Sequence, residues 1–73
     1  MTKQGQRILA YIYEHGSISP LEAFRDLGIT KLATRVSEMR REGIQFAQEY
    51  ETMTNRFGEP VRYMRYRMGG RNG

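Results

Sequence analysis

The sequence predicts an α+β domain in which three helices come first and a β-hairpin last. Three observations carry this reading. Apolar residues recur at helical spacing as far as Gly43 and at alternate positions beyond it. The stretch "SISPLE" has serine, proline and glutamate at the spacing of a helix start. Gly28 then interrupts the helical pattern so briefly that two helices must meet with almost no loop between them.

The first helix is expected over about residues 3–15, where Ile8, Leu9, Tyr11 and Ile12 share one side and Gly16 suits a left-handed C-terminal cap. Ile18 follows as a very short strand. The second helix starts at Pro20 behind the capping residue Ser19 and runs to about residue 27. Leu21, Phe24 and Leu27 are expected on its buried side, with Glu22, Arg25 and Asp26 outward. Gly28 ends it, and Thr30 is placed to cap a third helix over about residues 30–42. Leu32, Val36 and Met39 form that helix's inner stripe. At about 100° per residue, Thr30, Lys31, Thr34, Glu38 and Arg41 fall on the opposite side, with Arg35 beside them. Arg40 lies nearer the core edge and is expected to snorkel.

After Gly43, "IQFAQEYETMT" and "VRYMRYRM" predict strands over about residues 44–54 and 61–68, joined by "NRFGEP" with its turn formers Asn55, Gly58 and Pro60. Ile44, Phe46, Met64, Tyr66 and Met68 are assigned to the core, and Tyr63, Arg65 and Arg67 to the other face. The domain is thus expected over residues 1–68, with "GGRNG" at residues 69–73 as a disordered tail that has nothing to bury.

Length and composition narrow the function. A chain of 73 residues buries only about 60% of its unfolded surface and has no room for a deep catalytic cleft. There is no cysteine, hence no disulfide and no thiolate metal site. His15 is alone, without the ligands a metal would need, and reads as a helix-end residue. His15 with Ser17 lacks an orienting third group, so no catalytic set, metal site, cofactor or small-molecule substrate is expected. The longest apolar run, Ile8 to Tyr13, is far too short to span a bilayer, and no signal peptide precedes it. The expected location is the cytoplasm.

Charge points to a partner. The formal net charge is +4, and the cations concentrate in Lys31, Arg35, Arg40 and Arg41 and again in Arg62, Arg65, Arg67 and Arg71 after Pro60. Between them, Glu49 and Glu51 would repel a polyanion. The element order, with two helices joined by a tight turn and followed by a hairpin, is that of a winged helix-turn-helix, in which the second helix of the pair protrudes far enough to enter a DNA major groove.

"GSISPLEAFRDLGITKLATRVSEMRREG" resembles the small winged helix-turn-helix domains of phage, prophage and bacterial regulators. In these, a Gly-Ser-Ile-Thr/Ser-Pro-x-Glu-Ala stretch leads through a Gly-Ile turn into Arg/Lys-Leu-Ala-x-Arg-Ile-x-x-Leu-Arg. The likeness covers residues 8–68. It implies binding to double-stranded DNA without a cofactor, with helix 3 as recognition helix, in transcriptional regulation or in a phage architectural or recombination role. The setting it implies is a bacterial host cell, with the protein associated with the nucleoid when bound. Carried over by position, Lys31, Thr34 and Arg35 read the groove, and Asn55 and Arg56 form the wing tip. The long acidic first strand departs from the pattern.

On physical grounds Arg35 or Lys31 can donate to guanine, and Thr34 can meet a thymine methyl or a phosphate. Arg41, Arg56, Arg62, Arg65 and Arg67 suit phosphates. Glu38 either accepts from cytosine or pairs with Arg35 or Arg41 along the helix, the pair being favoured. Two readings compete. "VRYMRYRM" resembles an RNA-stacking platform, although alternation puts Tyr63 and Tyr66 on opposite faces. Alternatively the fold is a protein-binding module, an adaptor or a phage-encoded inhibitor of a host protein. One such domain covers few base pairs, so a homodimer or a partner protein is expected.

Overall fold

A computed structural model of the chain describes residues 1–69. It contains α1 (Lys3–His15), α2 (Pro20–Leu27), α3 (Leu32–Arg41), β1 (Phe46–Thr54) and β2 (Pro60–Met68). The two strands pair antiparallel from Phe46 opposite Met68 to Thr54 opposite Pro60. Ile18 adds a third, one-residue strand: its N–H donates to the Tyr66 carbonyl at 2.8 Å and its carbonyl accepts from Tyr66 at 2.9 Å. Of the tail expected to be disordered over residues 69–73, residues 70–73 lie outside the described residues, and Gly69 instead extends the ladder, its N–H donating to the Gln45 carbonyl at 2.8 Å.

Local chemistry sets the helix ends. Ser19 Oγ accepts from the Glu22 N–H while Glu22 Oε1 accepts from the Ser19 N–H at 3.0 Å, a complete capping box with Pro20 in the first turn. Gly28 terminates α2 with φ of 69°, in the left-handed region that a side chain disfavours. The core is Ile8, Ile12, Ile18, Ala23, Ile29, Leu32, Val36, Met39 and Tyr66. It gathers one face of each helix under the inner end of the hairpin.

Four local expectations need correction. Thr30 does not cap α3. The cap position falls to Lys31, which makes no side-chain cap bond, so the helix begins at Leu32 and ends at Arg41. The reason is Ile29: it is buried, and its N–H is held by the Ala23 carbonyl at 3.0 Å, which pins the turn and delays the helix. Leu21 and Phe24 are 53% and 59% exposed, because α2 meets the core through buried Ala23 and partly buried Leu27. Met68 is 44% exposed, at the end of β2 beyond its buried residue Tyr66. Arg65 is not a solvent residue, and its surroundings matter for the site.

Candidate nucleic-acid interface

The side of α3 opposite Leu32, Val36 and Met39 stands in solvent. Thr34 and Arg41 are exposed there, and so is Ser37, which charge and periodicity had not singled out, while Thr30 and Lys31 are exposed just ahead of the first turn. Ser37 carries no charge to flag it, yet at 100° per residue it lies beside Thr34 and Arg41. Ten helical residues give a rod about 15 Å long, matched to a groove about 12 Å wide. Arg35 sits at the shoulder of this face: its side chain is 25% exposed, and Nη1 donates to Glu38 Oε1 at 3.0 Å. The pair between Arg35 and Glu38 is therefore formed. Arg35 Nε is buried without a hydrogen-bond partner among the described residues. Arg40 snorkels: its guanidinium lies 5.9 Å from the Phe46 ring centre and donates to Gln48 Oε1 at 2.7 Å.

The wing has two unlike faces. On one, the acids of β1 meet the arginines of β2. Glu49 accepts from Arg67, and Glu51 Oε1 accepts from Arg65 Nη2 at 2.9 Å. These diagonal pairs neutralise the carboxylates whose repulsion of phosphate was expected to disfavour a wing contact. On the other face Arg62 stacks its guanidinium 4.0 Å from the Tyr50 ring centre. The turn beyond is organised by Asn55, whose Oδ1 accepts from Phe57 N–H at 2.9 Å and Glu59 N–H at 3.0 Å. Asn55 thus builds the tip, and Arg56 stands exposed on it.

Arg65, read from the sequence as a phosphate ligand on an open face, ties the wing to the helices. Nη1 donates to Ser17 Oγ at 2.9 Å and to Glu22 Oε1 at 3.1 Å, and the side chain is only 19% exposed. The Glu51 hydrogen bond raises its affinity for the proton above the ordinary arginine range, against partial loss of hydration. The same Glu22 oxygen that closes the capping box holds the wing, so the start of α2 and the middle of β2 are fixed together. Sequence offered no sign of this, because Arg65 and Glu22 are 43 residues apart.

A family model described as a winged helix-turn-helix domain matches residues 3–71. The chain belongs to this family. The winged helix-turn-helix domain therefore spans nearly all of the sequence, with α2 and α3 as its helix pair and the hairpin as its wing. Members of the family generally bind DNA as regulators. No curated protein and no solved structure matches the chain. No helix among the described residues is long and apolar enough to cross a membrane.

Proposed function

We propose that this protein binds double-stranded DNA by laying α3 in the major groove, as a transcriptional regulator or an architectural factor of a phage or mobile element in a bacterial cell. The observation that carries the reading is the outward side of α3. Thr34, Ser37 and Arg41 are exposed there and Thr30 and Lys31 just before its first turn, hydroxyls and cations with no large apolar side chain among them, a composition that suits phosphates and base edges better than a dry protein interface. Lys31, Thr34 and Ser37 are the groove readers. Arg35 joins them by leaving Glu38, which costs about 0.2–0.5 kcal/mol for a pair of this kind. Arg41, Arg56 and Arg62 meet phosphates. Two copies, or one copy and a partner protein, share a site, because a single domain covers few base pairs.

The test is selection from a random duplex pool at moderate salt, with Arg35→Ala in parallel. Wild type should enrich a motif, and R35A should recover the same motif with one position relaxed, since a lost guanine contact removes about 1–3 kcal/mol of discrimination. Enrichment without a motif would favour the architectural role. A second reading draws on exposed Leu21 and Phe24, an apolar pair on one side of α2. Failure to recover any duplex would favour that protein-adaptor role.

A further inference from the structure

Phe57 is 78% exposed at the far end of the hairpin, where it contributes nothing to the core. A single exposed aromatic residue is unremarkable on a loose loop, but this one is mounted on a closed turn. Asn55 N–H donates to the Glu59 carbonyl at 2.9 Å and Gly58 N–H to the Asn55 carbonyl at 3.0 Å. The Asn55 carboxamide takes the Phe57 and Glu59 N–H groups, and its Nδ2 donates to Glu59 Oε1 at 3.2 Å. Gly58, at φ of 81°, supplies the left-handed residue that this crossing of the chain requires. The backbone is held before any ligand arrives, so little further ordering is needed at the tip when Phe57 is buried.

We propose that Phe57 is an apolar wedge that enters the minor groove beside the α3 site, parts one base step and bends the duplex. The inference rests on the duplex-binding reading above and adds a mechanical action to it. Reach supports it. Tyr66 is the outermost buried residue of β2 and lies six steps along the strand from Pro60, about 20 Å at 3.3 Å per residue. A minor groove flanks the major groove at half a helical turn, about 17 Å away. The charge of the tip fits as well. Arg56 precedes the ring, Arg62 follows on the strand, and the one acid of the turn, Glu59, is engaged by Asn55. Cations before and after the ring in the chain supply partners for the phosphates that flank a base step. The ring in turn finds there the stacked, water-poor environment that solvent denies it.

The experiment compares wild type, Phe57→Ala and Phe57→Leu on a duplex of about 30 base pairs recovered by the selection. Bending is read by energy transfer between dyes at the two ends, and unstacking by 2-aminopurine placed in turn at each pyrimidine–purine step, the steps that open most easily. Wild type is expected to bend the duplex by about 20–90° and to brighten one 2-aminopurine position. F57A should bind about tenfold more weakly with both signals lost, while F57L, still apolar, should keep both. Equal thermal stability of the three proteins separates this from misfolding. A bound duplex that stays straight with wild type, or bends equally with F57A, overturns the wedge while leaving the groove-binding role of α3 standing. Absence of any bound duplex with wild type overturns both.

Discussion

At the scale of single residues, arginines of one chemical kind do different work. Arg65 satisfies two carboxylates and a hydroxyl, Arg67 pairs with Glu49, Arg62 lies on Tyr50, and Arg56 meets solvent. Arg65→Met should therefore strand Glu22 and Glu51. The cluster is partly wet, so the expected loss is about 1–2 kcal/mol in urea unfolding, below the cost of breaking a fully buried pair. Arg65→Lys should recover only part of it, because an ammonium lacks the fork that spans both partners. Asp26 makes a pH prediction. Hydrogen bonds from Arg25 and then from the Tyr11 hydroxyl hold its carboxyl below the ordinary 3.8. A depressed carboxyl contributes stability at pH above its unfolded value, and that contribution fades as pH falls below 3.8 toward the folded value. Melting between pH 5 and pH 2 at low salt should thus fall less steeply for Asp26→Asn than for wild type.

At the scale of elements, α2 and α3 start in opposite ways. The first turn of α2 has Pro20 and a reciprocal Ser19–Glu22 cap, whereas α3 begins with a lysine that makes no cap bond and sets a cation against the positive end of the helix dipole. A start that is poor for stability, on the face proposed to meet DNA, is the pattern of a residue kept for binding. Lys31→Asp should raise stability by about 0.5–1 kcal/mol through capping and the dipole, and it should weaken duplex binding at the same time. Thermal melts and anisotropy titrations measure the two effects. A variant that is both more stable and equally tight would remove Lys31 from the interface. The wing shows a similar division, with one face consumed by ion pairs and the other carrying Arg62 on Tyr50.

At the scale of the molecule, the cations available to a polyanion are fewer than the sequence total suggests. Charge counting offered Arg41, Arg56, Arg62, Arg65 and Arg67 for phosphates, enough for log K to fall against log salt with a slope of about −4 to −5. With Arg65 and Arg67 paired to Glu51 and Glu49, the cations left around the α3 face and the wing tip among the described residues are Lys31, Arg41, Arg56 and Arg62. At about 0.9 per contact the expected slope is therefore about −3 to −4. A titration of affinity against salt gives this directly. A steeper slope would mean that the wing pairs open on binding, and a flat one would reject duplex binding.

The sequence by itself determined the three helices, the capping box, the Gly28 break, the hairpin and the inner stripe of α3. Each of these announces itself through a cap, a turn or a repeat of two to four residues, which composition and period report directly. The late start of α3 escaped it, because burial of Ile29 in a shared core overrides the local preference of Thr30. So did the exposure of Leu21 and Phe24. Only the tertiary structure decided which arginines are free. That choice follows from the strand register and from Ile18 pairing with Tyr66, which bring Arg65 to carboxylates 14 and 43 residues away. An ion pair is set by distance in space, and the chain's own order carries no record of it.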